Sequence, residues 1–367
     1  SNACTITLPA SASVGDTIIF TDYARNWGTN GITIDSNGLN YQSRDDTFTV
    51  EYGTDGMTLA ITYMNATQGW VPTIDEAVTD VPSKGNQEGI FGYGEGGSRV
   101  SMTNLVSNAG VVATDVTGVG TARQQIAACE YGEDKGIFGF GNDGSAASMT
   151  NLVSNTGVVA TDVTGVGTDR YQLAACGYGG DKGIFGYGYT GSYVSMSNLV
   201  SNSGVVATDT TGVGTARYKP AACSYGEDKG IFGYGYTPSL TAVTNLVSNA
   251  GVVATDVTGV GTARYLLTAS EYGYDKGIFG FGYTTGVVGM TNLVSNVGVV
   301  ASDVTAVGTA RSGLEATHYG GDKGIFGFGY GSGYTAVTNL VSNAGVVATD
   351  VTGVGTVRRD LGACSFN

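Results

Sequence analysis

The chain has 367 residues, of which 61 are glycine and only 5 are proline, whereas glycine usually makes up about 7% of a protein. Hydrophobic residues make up 41% of the chain, which is enough to bury a core and excludes a disordered or collagen-like chain. Against 31 Asp and Glu there are 17 Lys and Arg, so the net charge is −14, which repels phosphate backbones and disfavours nucleic-acid binding.

The first residues, Ser1, Asn2 and Ala3, resemble the remnant of a cleaved purification tag, so residues 1–3 are not assigned to a domain and the native N-terminus is not visible. Residues 4–73 contain the alternating segments TITL, TIIF, GITI, TFTVEY and LAITY, separated by Gly-Asp, Asn-Gly and Asp-Gly turns. This pattern predicts a small all-β module. Residues 74–86, IDEAVTDVPSKGN, carry charge and a proline and are predicted to form a linker.

Three motifs in residues 4–73, namely LPASASVGD, NWGTNGITIDSNG and the closing QGW, resemble a module of bacteriophage tail-fibre and tail-spike proteins. The resemblance covers nearly the whole stretch. It implies a location in the virion tail or otherwise outside the cell, contacts with other virion or tail components through this module, and a fibre that could be homotrimeric.

A repeat of 47 residues fills the rest of the chain, and its string Gly-Ile-Phe-Gly begins at Gly89, Gly136, Gly183, Gly230, Gly277 and Gly324. No segment carries a sustained helical stripe of apolar residues. Each copy contains four short runs between turn signals, as in LAACGYG, GIFGYGY, MSNLVSN and GVVATDT. We therefore predict six four-stranded antiparallel meanders, which form the blades of a six-bladed β-propeller over residues 87–367.

The two ends of the repeat region are complementary. Residues 358–367 contain only a first strand, while residues 88–117 contain strands two to four without a first strand. We predict that these two segments pair in one blade, because the pairing closes the ring and removes an exposed sheet edge at each end.

Residues 84–367 resemble the kelch family of propellers. The shared features are an Arg before the inner strand, as at Arg170, the glycine-rich strand GIFGYG, an Asn in the third strand, as at Asn198, and the return GVGTAR. The chain departs from the family in having Gly-Tyr/Phe-Gly in place of adjacent glycines. The resemblance implies an all-β, six-bladed kelch-like β-propeller.

The six copies differ from one another mainly in two places. The loop between strands two and three reads EGGSRVS at residues 95–101 and NDGSAAS, YTGSYVS, YTPSLTA, YTTGVVG and YGSGYTA in the other copies. The segment after the repeated Arg reads QQI at residues 124–126 and YQL, YKP, YLL, SGL and RDL elsewhere. In a four-stranded blade both segments emerge at the same end, so we call their positions the variable face. The opposite face carries nearly uniform Asp-Lys and SN-x-G turns.

We interpret the variable face as a recognition surface, since tyrosine beside small polar residues is typical of binding loops. The candidate ligand-binding tyrosines are Tyr171, Tyr189, Tyr193, Tyr218, Tyr236, Tyr265, Tyr283, Tyr330 and Tyr334. The other candidates are Arg99, Gln124, Asn142, Lys219 and Arg359. The alternative is that these loops vary freely and that the tyrosines only cap the seams between blades.

The residue types needed for catalysis are scarce. His318 is the only histidine, and the five cysteines lack paired zinc-site spacing, so we expect no metal, no cofactor and no enzymatic activity. We expect His318 to lie on the surface near a turn. Because equivalent cysteines point alike on different blades, we expect no disulfides.

One Arg and one Asp recur in every copy, and they predict a partly buried ion pair between neighbouring blades, the alternative being a ring of arginines that binds an anion at the axis. The arginines are Arg123, Arg170, Arg217, Arg264, Arg311 and Arg358, and the aspartates are Asp115, Asp162, Asp209, Asp256, Asp303 and Asp350.

From these observations we predict a phage-type tail-fibre or receptor-binding protein whose variable face recognises a glycan or protein on the host cell surface. No apolar run approaches the roughly 18 residues that span a bilayer, so membrane insertion is not expected. Two other readings remain open. The first is a non-catalytic structural or protein-interaction propeller, and the second is a glycan-acting enzyme.

Overall fold

The structure is a computed structural model that describes residues 3–47, 49–77, 87–305 and 307–366, with the backbone alone described at residues 75–77. Within these ranges the chain forms 24 β-strands and no helix, so none of the described segments is a helix that could cross a membrane. The chain divides into two compact units, Ser1–Ser83 and Lys84–Asn367. The all-β fold class predicted from the sequence is confirmed.

The first unit consists of two three-stranded sheets. Its strands are β1 (Cys4–Thr7), β2 (Thr17–Thr21), β3 (Ile32–Asp35), β4 (Val50–Tyr52), β5 (Met57–Asn65) and β6 (Gly69–Ala77). In the first sheet, strand β3 lies between β1, to which it is parallel, and β4, to which it is antiparallel. In the second sheet, β5 lies between β2 and β6, and both pairings are antiparallel. Leu59, Ile61 and Trp70 are fully buried in the core of the unit.

Strand β6 extends into the segment that the sequence predicted to be a linker. Ala60 pairs with Ile74 and Met57 pairs with Ala77 along the β5–β6 ladder. The linker prediction is therefore wrong for residues 74–77. The charged residues of this segment do not indicate a strand. The long strand β5 nevertheless offers it backbone hydrogen-bond partners, which do not depend on side-chain type. Residues 78–86 of the predicted linker lie outside the described residues.

The second unit contains six three-stranded antiparallel sheets, numbered here in the order of their middle strands along the chain. Sheet 1 combines β24 (Gly362–Phe366), β7 (Glu88–Gly92) and β8 (Thr103–Val106). Sheet 2 contains β9 (Ala127–Tyr131), β10 (Lys135–Asn142) and β11 (Ala146–Val153), and sheet 3 contains β12 (Ala174–Tyr178), β13 (Lys182–Gly186) and β14 (Ser197–Val200). Sheet 4 contains β15 (Ala221–Tyr225), β16 (Lys229–Gly233) and β17 (Thr244–Val247), and sheet 5 contains β18 (Thr268–Tyr272), β19 (Lys276–Gly280) and β20 (Thr291–Val294). Sheet 6 contains β21 (Glu315–Tyr319), β22 (Lys323–Gly327) and β23 (Thr338–Val341).

The predicted fourth strand of each repeat does not form a continuous strand. In sheet 1 the run after β8 makes only two isolated bridges, Val106 to Val112 and Thr103 to Val116. Between these two bridges the run contains one residue more than β8, so the two segments cannot keep one continuous register. The Asn104 side chain also occupies a carbonyl of this run, since its Nδ2 donates a hydrogen bond of 3.0 Å to the Ala113 carbonyl oxygen. The four-stranded prediction is corrected to three strands and a loosely bridged edge.

The first strands of the six sheets contact one another in a cyclic order, β9, β12, β15, β18, β21, β24 and back to β9. The predicted pairing of the two ends corresponds to the antiparallel ladder of β24 with β7, in which Gly362 pairs with Gly92 and Phe366 with Glu88. The C-terminal strand therefore completes the sheet that begins the repeat region.

Neighbouring sheets fit together through the Gly-Ile-Phe-Gly string. A Cβ atom on Gly139 would lie 2.7 Å from the Phe185 ring of the next sheet, and one on Gly136 would lie 2.4 Å from the Cys364 sulfur of the preceding sheet. Both distances are shorter than real Cβ contacts, so only glycine allows this approach. The same fit recurs around the cycle, with Phe91 lying against Gly327.

The repeated cysteines are small packing residues. The described cysteines are all free thiols, and Cys129, Cys176, Cys223 and Cys364 are buried between sheets whereas Cys4 is exposed. This placement agrees with the expectation that equivalent cysteines on different sheets do not pair.

The repeated arginines also join the sheets. Arg170 is fully buried, and its Nε donates to the Tyr187 carbonyl at 3.0 Å while its Nη2 donates to Asn198 Oδ1 at 2.6 Å. Its guanidinium lies 4.2 Å above the Phe140 ring of the preceding sheet. Its Nη1 atom lies 3.7 Å from Oδ1 of Asp209, in the run that follows β14. Burial lowers the pKa of Arg170 to about 10, so the group stays charged at neutral pH. The predicted ion pair is confirmed in four of the six copies, where Arg123, Arg170, Arg264 and Arg358 pair with Asp162, Asp209, Asp303 and Asp115. The burial and hydrogen bonds of these arginines favour the structural interpretation over an anion site.

Candidate functional site

The two variable segments of each repeat lie side by side. Tyr171 and Tyr189 exchange backbone hydrogen bonds of 3.2 and 2.9 Å, and Gln124 and Asn142 do the same at 3.0 and 2.8 Å in the preceding repeat. These contacts use only main-chain atoms. The pairing therefore accepts almost any side chain, which explains how the sequence varies here without disturbing the fold.

The nearly uniform turns at the other end of the sheets have a structural explanation. The Gly132 amide donates to the Asp181 carbonyl of the next repeat at 2.7 Å, and the Gly179 amide donates to Asp228 at 2.7 Å in the same way. Lys135 and Lys182 each pair with the Asp beside them in these turns. The uniformity of these turns follows from their packing and is not evidence for recognition. Recognition is supported only by the contacts among the variable positions.

Seven of the predicted tyrosines form one continuous cluster across sheets 3, 4 and 5, which we call the tyrosine arc. Tyr193 and Tyr218 are stacked, with ring centroids 5.3 Å apart and planes 3° from parallel. Tyr218 also contacts Tyr236 at 5.5 Å and Tyr265 at 6.3 Å. The members of the arc are Tyr171, Tyr189, Tyr193, Tyr218, Tyr236, Tyr265 and Tyr283, and all are half-buried.

The arc repeats one local geometry three times. The pair Tyr171 and Tyr189 has centroids 5.7 Å apart and planes at 66°, and the pair Tyr218 and Tyr236 has 5.5 Å and 69°. The third pair, Tyr265 and Tyr283, has 5.8 Å and 80°. Three neighbouring sheets thus present nearly equivalent aromatic pairs.

The hydroxyl groups of the arc differ from those of the structural tyrosines. Tyr93, Tyr187 and Tyr234, buried beside the arginines, each donate to a backbone carbonyl, as Tyr187 does to Val213 at 3.2 Å. Within the described part of the chain, the only hydrogen bond recorded for an arc hydroxyl is the one from Tyr283 to the Thr285 carbonyl at 3.4 Å. Burial, with a smaller contribution from neighbouring tyrosines, raises the pKa of Tyr218 to about 12, so the hydroxyl is neutral at physiological pH.

Apart from Lys219, the remaining predicted residues lie in sheets 6, 1 and 2, where polar contacts dominate. Arg359 lies 5.1 Å above the Tyr330 ring and 5.6 Å above the Tyr334 ring, and it also pairs with Glu95 at 3.6 Å. Arg99 is exposed, and its Nη2 donates to Asn142 Oδ1 at 2.9 Å. Gln124 has a buried side-chain oxygen for which the described structure offers no hydrogen-bond partner.

Lys219 is separate from the arc. Its side chain is 13% exposed and lies 3.6 Å from Asp360, which belongs to the repeat three positions away around the cycle. Burial lowers the pKa of Lys219, and the negative charge of Asp360 opposes that change. Both residues line one of three adjoining cavities between the first strands of the six sheets, which together we call the central cavity. This pair crosses one end of the central cavity.

Sequence reasoning missed Glu315, which lies within the central cavity. It accepts a hydrogen bond of 3.0 Å from the Thr268 hydroxyl, and alanines surround it at the equivalent positions Ala127, Ala174 and Ala221. Desolvation raises its pKa from 4.5 to about 8, and the charge of Asp360 contributes. The signal was present in the sequence, because this repeat position reads Ala, Ala, Ala, Thr, Glu and Gly among nearly identical copies.

His318 does not lie on the surface, so that prediction is wrong. Its side chain is 11% exposed, and its Nε2 lies 3.0 Å from Glu130 and 2.7 Å from the Ser365 hydroxyl, which also bonds Glu130. The side chain enters the central cavity because β21 is one of the first strands that line this cavity, a placement that no turn signal in the sequence reveals. Glu130 and Ser365 both lie nearest to Nε2, and the Ser365 hydroxyl is also 3.4 Å from Nδ1, so no carboxylate orients the ring from Nδ1 as in a catalytic triad.

Glu315 should make stability depend on pH. In the folded chain it stays protonated up to about pH 8, whereas the unfolded chain ionises near pH 4.5, so its contribution to the free energy of unfolding falls as pH rises between these values. We expect Glu315→Gln to match the parent at pH 4 and to be more stable by on the order of 5 kcal/mol at pH 9. Denaturant unfolding across this range measures the difference.

The control for charge removal is Glu133→Gln, since Glu133 is exposed in a turn. A difference between Glu315→Gln and the parent that stays constant from pH 4 to pH 9 would contradict the assignment of a protonated Glu315.

Two comparisons with known proteins give no relative. No protein-family model matches the chain, and no curated protein matches it.

Proposed function

We propose that the six sheets are the blades of a closed, six-bladed, kelch-like β-propeller. The cyclic contacts of the first strands and the ladder between β24 and β7 support this reading. The interlocking Phe and Gly residues support it as well, because Phe91 meets Gly327 in the same way that Phe185 meets Gly139. A closed ring gives every apolar sheet face a neighbour.

We propose that the variable face recognises a glycan or protein on the surface of a host cell, and that the chain is part of a phage-type tail fibre. The observation that carries the proposal is the tyrosine arc, in which seven half-buried aromatic side chains form one surface cluster. Tyrosine supplies a large contact area at a low cost in side-chain entropy. Clustered aromatic side chains are also the usual centres of binding energy in interfaces.

The first unit is proposed to attach the propeller to other virion components, and the protein would then act in the virion or otherwise outside the cell, as a monomer or a homotrimer. This part of the proposal depends on the tail-fibre resemblance of residues 4–73. For the two alternatives, a protein-interaction propeller without a host target and a glycan-acting enzyme, the described residues contain no cluster that favours them over recognition.

A screen of the full chain against immobilised bacterial surface glycans and surface proteins identifies the target. With that target, Tyr189→Ala/Tyr193→Ala/Tyr236→Ala should weaken binding about a hundredfold or more, because each truncated aromatic anchor costs on the order of 2 kcal/mol. The fold should survive, since these positions hold Glu, Asn, Arg or Leu in other copies. Surface plasmon resonance measures the affinity, and circular dichroism checks the fold.

The matched control is a triple alanine variant at Glu133, Glu227 and Tyr274 in the turns of the opposite face. It should bind within about twofold of the parent. Equal losses from both triple variants, or a loss confined to the control, would show that recognition has been assigned to the wrong face.

A further inference from the structure

The charges of the variable face are unevenly distributed. In sheets 3, 4 and 5 the loops between the second and third strands read YTGSYVS, YTPSLTA and YTTGVVG. The segments after the repeated Arg of the same sheets read YQL, YKP and YLL. Lys219 is the only charged residue among these positions, and it pairs with Asp360 in the central cavity. The other half of the face carries Glu95, Arg99 and Arg359.

The half that holds the tyrosine arc is uncharged but rich in hydroxyl groups. The arc hydroxyls other than that of Tyr283 have no hydrogen-bond partner within the described residues, and none of them is among the fully buried polar atoms. Thr190, Ser192, Thr237 and Ser239 add further hydroxyls in the same loops. Such a surface offers donors and acceptors to a polar ligand and offers no counter-ion to a charged one.

We propose that the ligand of the tyrosine arc is an uncharged glycan chain that extends across sheets 3, 4 and 5. This inference rests on the proposed function and restricts its ligand. A neutral glycan presents many hydroxyls and apolar C–H faces, which match partly exposed tyrosine rings with unpaired hydroxyls. An acidic glycan would leave its charges without a partner on the arc, which is costly for a desolvated group.

The repetition of the arc supports an extended ligand. The pairs at Tyr171, Tyr218 and Tyr265 recur with nearly the same geometry in three consecutive sheets, and the stacked and tilted contacts between sheets join them without a gap. A chain of similar sugar units can occupy equivalent sites in succession. Affinity then rises with chain length through the high effective concentration of linked units.

The experiment uses the full chain on an array of immobilised neutral glycans and of glycans that carry uronic acid, sialic acid or sulfate. We expect binding to neutral chains, with affinity for soluble fragments of the bound glycan rising at least tenfold from one sugar unit to three. The affinity should change less than about twofold between roughly 0.05 and 0.5 M salt, because screening acts only on charges.

Phenylalanine variants test the role of the hydroxyls while keeping the rings. Tyr193→Phe/Tyr218→Phe/Tyr236→Phe should weaken glycan binding at least about tenfold, since each lost hydrogen bond to a neutral group costs a few-fold in affinity. Tyr334→Phe, which lies outside the arc, is the matched control and should remain within about twofold.

The outcomes separate this inference from the proposed function. Binding only to acidic glycans or to proteins, affinity that falls tenfold with salt, or full binding by the triple phenylalanine variant would overturn the neutral-glycan assignment. The proposed function would stand in those cases if the triple alanine variant still lost binding. Failure to bind any neutral chain also overturns the inference, while a target bound equally well by the triple alanine variant would overturn the proposed function itself.

Discussion

Deletion of residues 358–367 is expected to abolish the cooperative unfolding transition of the second unit. These residues include Arg358, Leu361, Cys364 and Phe366, all of which are buried. Each fully buried large apolar side chain contributes roughly 1.5–3 kcal/mol, and the total stability of a domain is only about 5–15 kcal/mol. The deletion also leaves β7 as an unpaired edge and uncovers Gly136 of the next sheet.

Differential scanning calorimetry measures this effect. Removal of residues 1–83, which form the other compact unit, is the control and should leave the transition of the second unit in place. A C-terminally truncated chain that unfolds at the parental melting temperature would contradict the closing role of β24.

The second large effect is expected at the buried arginines. Arg170→Met keeps an apolar stem against Phe140 but leaves the Tyr187 carbonyl and Asn198 Oδ1 without their donor. Removal of one partner from a buried, charge-assisted network costs about 3–5 kcal/mol. Urea unfolding of the variant should show a loss in this range.

Arg99→Met is the matched control, because Arg99 is exposed and makes one side-chain hydrogen bond to Asn142. Its loss should be below about 1 kcal/mol. Similar losses for Arg170→Met and Arg99→Met would mean that the repeated arginines do not stabilise the junctions between sheets.

Much of the second unit could be predicted because nearly identical copies repeat the same glycines, aromatic residues and charged residues at the same spacing. The Gly-Ile-Phe-Gly string, the Arg and Asp of each copy and the missing first strand before Glu88 all indicated contacts that the structure contains. The fourth strand could not be predicted correctly, since the alternation of its valines is strand-like. The side chain of Asn104 replaces part of its backbone ladder, and a side-chain hydrogen bond of this kind leaves no pattern in apolar spacing.

The sequence allowed the residues of the candidate site to be predicted, but not the contacts among their side chains. Variation among the copies identified the tyrosines, and their contacts depend on how sheets 3, 4 and 5 meet. The same variation occurs at Glu315 and His318 in the central cavity, but no sequence pattern indicated that equivalent positions face a shared space. Lys219 varies among the copies as the tyrosines do, and yet it pairs with Asp360 and lies apart from the arc.

The most direct test of the recognition proposal is hydrogen exchange of the full chain with and without its target. We predict slower exchange at the backbone amides of residues 189–195 and 236–242 on target binding, with unchanged exchange in the turns at residues 179–182 and 226–229. Protection confined to those turns, or to residues 4–73, would contradict recognition through the tyrosine arc.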